Sequence, residues 1–279
     1  MKAAAFQYSR PTDLADAASQ LSQNNAEAKV MGGSQSLGPM LNMRLARPAQ
    51  VIDVSALPEL LSVREHDNTI QIGASVTHAQ IEDGIHAPLV GHPVQSVARD
   101  IAYRAVRTRG TVGGSIAHAD PAADWVVVMT ALNATLQLRQ ANDNRSVPMN
   151  SFMQGAYTTQ LNEGEIITRI DIPTLSDDAR WGYFKFCRKP GEFADASAAV
   201  LFDPTNKTAH IVLGALDGPP RHLVDLAQQV ARDGAATLDR ATIVAAVKTV
   251  LDPSDPVQCK LHAVCVERAL HSAVGGPTQ

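Results

Sequence analysis

The chain has 279 residues, 24 Lys+Arg against 28 Asp+Glu, 45% hydrophobic residues and three Cys. That length is ample for a buried core without disulfide staples and suggests about two domains. The mildly acidic balance excludes a nucleic-acid binder, and no run approaches the ~18 apolar residues that a membrane helix needs. Cys187, Cys259 and Cys265 are scattered and form no disulfide framework, and they read as small buried thiols. The opening Met1-Lys2-Ala3-Ala4-Ala5-Phe6-Gln7 gives way at once to Ser9, Arg10 and Asp13, so it has no signal-peptide core. These features set the expectation of a cytoplasmic protein.

Residues 12–24 read as a helix with Thr12 as N-cap and Leu14, Ala17, Ala18 and Leu21 on one face. Lys29-Val30-Met31 reads as a strand that ends at Gly32-Gly33. Residues 37–45 read as a helix and Val51-Ile52-Asp53-Val54 as a strand. Strands over 60–64 and 70–72 flank the turn residues Asp67-Asn68. Thr77 is a candidate helix cap, and 88–102 reads as a helix. Residues 109–124 are rich in Gly, small residues and Asp, and a helix follows through Trp125-Val126-Val127-Val128-Met129. Strands are expected over 134–139 and 166–172, and the polar stretch 173–179 is the best linker. Beyond it come β-like runs at 183–188, 196–202 and 209–216, then helical runs at 222–232, 240–251 and 257–273. Strands followed by helices indicate an α+β C-terminal domain.

Two Gly-Gly segments carry the chemistry. The first, Lys29-Val30-Met31-Gly32-Gly33-Ser34-Gln35-Ser36, follows a strand and opens a helix. Consecutive glycines permit positive φ and close approach of a ligand, successive N–H groups form an anion site, and the helix N-terminus adds partial positive charge. The chemistry suited to this loop is diphosphate binding; the alternative is an ordinary glycine turn. It is neither a Walker A loop nor a Gly-x-Gly-x-x-Gly fingerprint. The second segment runs Val106-Arg107-Thr108-Arg109-Gly110-Thr111-Val112-Gly113-Gly114-Ser115-Ile116-Ala117-His118-Ala119-Asp120-Pro121-Ala122-Ala123-Asp124-Trp125. Asp120 before Pro121 reads either as a helix N-cap or as a cofactor contact. Asp124 reads either as a first-turn carboxylate facing the helix dipole or as a ribose ligand. His118 reads as a base, a metal ligand or a polar cofactor contact; with no partner in the sequence for the first two, packing or hydrogen bonding, to the cofactor included, is favoured over acid–base work. Two such loops can embrace one diphosphate from both sides.

The paired segments resemble the two flavin loops of the FAD-binding medium subunits of molybdenum hydroxylases, the xanthine dehydrogenase and carbon monoxide dehydrogenase family. The resemblance runs over nearly the whole chain. It implies an α+β protein: a vanillyl-alcohol-oxidase (PCMH)-type FAD-binding domain over 1–175, in subdomains of about 1–56 and 57–175. A smaller α+β C-terminal domain over 176–279 would carry a three-stranded sheet and helices. It places the cofactor against Lys29 through Ser36 and against Thr111 through Ser115. It adds Asp124 as the acidic contact, Ile101 and Ile167 (with Ile166 as the alternative) as apolar contacts, and Lys185 on the first C-terminal strand. Gly191-Glu192-Phe193-Ala194 resembles the family's Gly-Asp-Tyr-Ala, with Phe193 in place of the aromatic that lies at the isoalloxazine.

The resemblance further implies an FAD-carrying electron-transfer subunit with no catalytic acid, base or nucleophile and no metal of its own. Substrate is then oxidised on a large molybdopterin-binding subunit, and electrons pass through two [2Fe-2S] clusters on a small subunit to FAD and an external acceptor. The assembly is a heterohexamer, a dimer of heterotrimers. The low Cys count agrees with clusters held elsewhere. A stand-alone FAD oxidase or dehydrogenase is the second reading, but no base over a flavin is identifiable. A flavin-free interaction subunit is the third, and the intact pair of loops argues against it. Without an NAD motif, a quinone or cytochrome is the expected acceptor. Asp in place of Gly33 or Gly114 is expected to expel flavin with little change in fold.

Overall fold

The computed structural model describes residues 2–24, 27–141, 143–235 and 238–274. The chain opens with β1 (Gln7–Ser9), α1 (Leu14–Asn24), β2 (Ala28–Met31), α2 (Leu37–Asn42) and β3 (Gln50–Asp53). The three strands form a parallel sheet in the order β1-β3-β2. Leu14, Ala17, Ala18 and Leu21 of α1 are buried as their spacing requires, against Ile52, Val54, Leu57 and Leu60. The cap differs from expectation. Asp13 accepts the Asp16 N–H at 2.8 Å, whereas Thr12 lies outside the helix and donates its own N–H to Asp16.

Next come β4 (Val63–His66), β5 (Thr69–Gly73), α3 (His78–Glu82), α4 (Pro93–Asp100), α5 (Arg104–Arg107), α6 (Val112–His118) and α7 (Asp124–Ala131). They are followed by β6 (Thr135–Gln140), β7 (Asp143–Pro148), α8 (Met149–Phe152), β8 (Met153–Gly155), β9 (Thr158–Thr159) and β10 (Ile166–Pro173). An antiparallel sheet runs in the order β4-β5-β10-β6-β7. Asp67 and Asn68 both have positive φ, +49° and +57°, the geometry of a tight hairpin turn. Thr77 caps α3 reciprocally with Gln80. The helix expected over 88–102 is interrupted: Ala87–Leu89 is a 3-10 turn, Gly91 turns the chain at φ +77°, and Pro93 starts α4. Leu60 ends another 3-10 turn rather than starting a strand.

The C-terminal part has β11 (Arg180–Phe186), β12 (Ala196–Asp203), β13 (Thr208–Gly214), β14 (Arg221–His222), α9 (Val224–Asp233), α10 (Arg240–Lys248) and α11 (Pro256–Val274). The expected three long strands are present, and the two-residue β14 extends them to a four-stranded sheet. One face packs with α9, α10 and α11 around Ala198, Val200, Phe202, Ile211 and Leu213. The opposite face, with Ala199, Leu201 and Val212, joins the core that contains Ile72, Leu136, Ile170 and all of Trp125 through Met129. Every residue of α7 is buried. Cys259 and Cys265 are buried as expected, while Cys187 is only partly so. Among the described residues, no helix is long and apolar enough to cross a membrane.

Because α7 fills the space between two sheets, truncating it should loosen both together. Met129→Ala is expected to cost about 3 kcal/mol, the usual range for a fully buried Met. Tryptophan fluorescence and far-ultraviolet circular dichroism should then report the same lowered denaturation midpoint.

Candidate functional site

The first glycine segment leaves β2 and enters α2. Its left-handed residue is Ser34, at φ +62°, and neither Gly32 nor Gly33 has positive φ. The glycines serve space instead. A Cβ on Gly33 would lie 1.8 Å from the carbonyl oxygen of Arg109, and one on Gly32 would lie 2.8 Å from Oγ1 of Thr111. The two Gly-Gly segments therefore meet, and Gly33 is the point of closest approach. Gly33→Asp would drive a side chain into the Arg109 backbone, so the expected tolerance of the fold to that change does not hold. The loop closes through Gly38 N–H to the Ser34 carbonyl at 2.9 Å and Gln35 Nε2 to the Gly33 carbonyl at 3.0 Å. Among the described residues, the backbone N–H groups of Gly33, Ser34, Gln35 and Ser36 find no acceptor. Such a run of free donors before a helix is a cradle for an anion.

The second segment is not a loop. Thr111 is the N-cap of α6, accepting the Gly114 N–H at 3.1 Å, and both glycines are helical. Its backbone donors are used inside the chain. Val112 N–H bonds the Val76 carbonyl, Gly113 N–H bonds the Ala74 carbonyl, and Ser115 N–H bonds the Thr111 carbonyl. A Cβ on Gly113 would sit 2.5 Å from that of Ala74, so Gly113 is there for packing. What this helix end offers a ligand is the Thr111 and Ser115 hydroxyls and the exposed backbone at Gly114.

Asp120 does not cap α7, whose N-cap is Ala123. It caps a turn instead, its Oδ1 accepting the Ala122 N–H at 2.9 Å, while Oδ2 accepts from Tyr157 at 3.3 Å. Tyr157 also packs on His118, with ring centroids 5.2 Å apart. Those two residues form a group of their own at the far end of α6.

Asp124 and Lys185 form a third group. Lys185 Nζ lies 2.8 Å from Asp124 Oδ1 and 2.8 Å from the Asp100 carbonyl. Both side chains are nearly covered, 10% and 8% exposed. Tyr183 donates to the same Asp124 oxygen at 2.7 Å. Ile101 follows α4 beside this pair and packs against the α7 core. Arg107 holds the Ile101 and Ala102 carbonyls at 3.0 and 2.8 Å while gripping Glu82, whose carboxyl it keeps below the ordinary range. The loop carrying Phe193 rests there too, since Gly191 lies against Ala102 and Tyr103. Phe193 itself is 64% exposed. Ile167 is buried in the α7 core, whereas Ile166 belongs to the core of the first sheet. Lys29 is exposed, with Val30 and Met31 half-buried on β2.

Residues that had no sequence signal hold these groups in place. Trp125 Nε1 donates to His78 Nδ1 at 3.0 Å, and the His78 N–H donates to the Gly110 carbonyl at 2.9 Å. The second segment is thereby tied to the first turn of α7. Burial, with Arg107 adding to it, pushes His78 down to about 4. Among the described residues, no three His, Cys, Asp or Glu side chains are placed to hold a metal ion.

The family model described as the FAD binding domain in molybdopterin dehydrogenase matches residues 4–175. The chain belongs to that family. It is an FAD-binding medium subunit of the molybdenum hydroxylases, the flavoprotein component of an oxidoreductase. It is 35% identical over 222 residues to the carbon monoxide dehydrogenase medium chain of Hydrogenophaga pseudoflava, covering 78% of this chain and 76% of that one. The nicotine 6-hydroxylase medium subunit of Paenarthrobacter nicotinovorans is 35% identical over 221 residues, with the same coverage of 78% and 76%. In structure, quinoline 2-oxidoreductase from Pseudomonas putida 86 superposes with a TM-score of 0.87 at 29% identity, covering 99% of each chain.

The buried imidazole makes a test of this scaffold. His78 is neutral when folded and, with a folded value of about 4, resists protonation that the unfolded chain accepts near 6.5. Its contribution is therefore complete above pH 6.5 and is lost as pH falls toward 4. From pH 7 to 5 the medium subunit should lose about 2 kcal/mol of stability through this group. Urea unfolding at the two pH values checks this, and His78→Gln should shrink the difference by about that amount.

Proposed function

We propose that this medium subunit holds FAD between the Gly32–Ser36 loop and the start of α6 and relays electrons through it. In this reading the electrons come from [2Fe-2S] clusters on a small partner subunit and leave to an external acceptor. Substrate is oxidised at a molybdopterin cofactor on a large partner subunit. The observation that carries the reading is the cradle: free N–H groups at Gly33 through Ser36, set where the two Gly-Gly segments touch.

The residues present fit a dinucleotide diphosphate. The first loop supplies backbone donors and the Ser34 and Ser36 hydroxyls, with Lys29, Val30 and Met31 leading into it. Thr111 and Ser115 supply hydroxyls from the facing helix end, with Val112, Gly113 and Gly114 shaping the wall. His118 and Asp120, a separate group at the far end of α6, are read as further polar contacts. Ile101, Ile167 and Phe193 offer apolar surface, and Asp124 and Lys185 offer one carboxylate and one ammonium. FAD, when bound, supplies a ring that takes up electrons from one partner and passes them to another. The chain's own work is to bind and orient that ring and to limit water around it. No acid–base group is required here, because the substrate bond is broken on another subunit.

Relatives named as medium chains or as subunits of a complex support partners for this chain. Its three Cys are too few for a cluster of its own. We read the assembly as a cytoplasmic dimer of heterotrimers. The relatives' substrates differ from one another, which fits substrate choice residing in the large subunit.

The purified protein should absorb near ~450 nm as isolated or after FAD is added. Ser36 is the N-cap of α2 and makes no side-chain cap bond. Ser36→Asp therefore suits the helix but sets a negative charge in the cradle. Titration with FAD should show at least about tenfold weaker binding, with the denaturation midpoint unchanged. A wild-type protein that stays colourless after FAD is added, or a variant that binds FAD equally well, would overturn the proposal.

A further inference from the structure

Strand β11 separates two environments. Phe184 packs into the core beneath α9, α10 and α11, while Trp181 and Tyr183 pack on the α7 core. Tyr183 and Lys185 thus share the face that meets the N-terminus of α7. There the hydrogen bonds account for themselves unevenly. Asp124 Oδ1 accepts from both Tyr183 and Lys185, at 2.7 and 2.8 Å. Asp124 Oδ2 accepts nothing among the described residues, and it is not sealed in the interior. Lys185 spends two N–H groups on Asp124 and the Asp100 carbonyl, which leaves the third. One acceptor and one donor are therefore left over, side by side, in an ion pair that is otherwise covered.

We propose that Tyr183 is a positioning residue for the cofactor: its hydroxyl fixes the Asp124 carboxylate so that Oδ2 and the third Lys185 N–H stay available to bound FAD. This rests on the proposed function above and deepens it. With Tyr183 absent, Oδ1 keeps only Lys185, and the carboxylate can turn and exchange its oxygens. The hydroxyl is suited to the task because it stays protonated: burial and the Asp124 charge raise it well above the ordinary phenol range. The O–H also withdraws part of the carboxylate's charge. Losing it leaves a stronger negative field near the cofactor, which disfavours adding electrons.

The test is Tyr183→Phe in the full chain, purified with any co-expressed subunits, alone and combined with Asp124→Asn. Tyr183→Phe should weaken FAD binding about tenfold and lower the flavin midpoint potential, while far-ultraviolet circular dichroism shows the fold kept. In the Asp124→Asn background the same change should alter neither quantity, because the group it acts through is gone. Should Asp124→Asn not fold, Asp124→Ala, which also removes the carboxylate, serves as the second background with the same expectation. An equal effect in both backgrounds would overturn the inference, since it would mean that the ring acts by packing. A wild-type affinity and potential in Tyr183→Phe would overturn it as well. A wild-type protein that takes up no FAD would instead overturn the cofactor reading, and this inference with it.

Discussion

Helix α7 has no face toward solvent, and the rest of the molecule is arranged around that constraint. A run of Trp125-Val126-Val127-Val128-Met129 is apolar on every side, so it is stable only with protein all around it. The antiparallel sheet of the first part covers it on one side and the C-terminal sheet on the other. Close contact on the second side is possible because Gly214 has no side chain where Val127 packs. The polar tip of this helix, Asp124, then emerges at the seam between the two sheets, where Lys185 and Tyr183 of β11 can reach it. The apolar character of the helix thus decides where a carboxylate and an ammonium meet.

The same helix disciplines the cradle. Its Trp125 holds His78, whose backbone holds Gly110, which precedes Thr111 and adjoins the Arg109 carbonyl against Gly33. Every link is a buried hydrogen bond or a backbone contact, so slack at one end would be felt at the other. The two Gly-Gly segments look alike in sequence but do different work. In the first, the glycines make room and the N–H groups of Gly33 through Ser36 have no acceptor among the described residues. In the second, the N–H groups are consumed by Ala74, Val76 and Thr111, and hydroxyls are what remain.

The contrast explains what was legible in the sequence. A period-3.6 pattern exposed the buried face of α1 and alternation exposed β6, while β10 and the three long C-terminal strands showed through β-branched, aromatic or continuously apolar runs, β12 being buried on both faces. Strand β7 left none: of Asp143–Pro148 only Val147 is buried, so no alternation shows. Strand β1 is similarly polar and short. The two segments were expected to embrace one diphosphate, and their direct contact at Gly32 and Gly33 was not expected, since Gly-Gly reads the same whether it grants φ, room or packing. Asp120 before Pro121 resembled a helix cap and is a turn cap, because Pro121 starts a turn before α7 begins. Tyr183 gave no signal at all, being one more aromatic on an alternating strand until Asp124 is seen beside it.

Phe193 sharpens the division of roles at this seam. It stands on an exposed loop resting against Ala102 and Tyr103, a segment that Arg107 grips by two carbonyls. A phenyl ring there can cover a flat apolar surface but donates no hydrogen bond. The phenol that does donate, Tyr183, is turned inward onto Asp124. The polar influence on a bound ring system would then come from the covered side, where low dielectric strengthens each charge and hydrogen bond. The exposed side would contribute shielding alone.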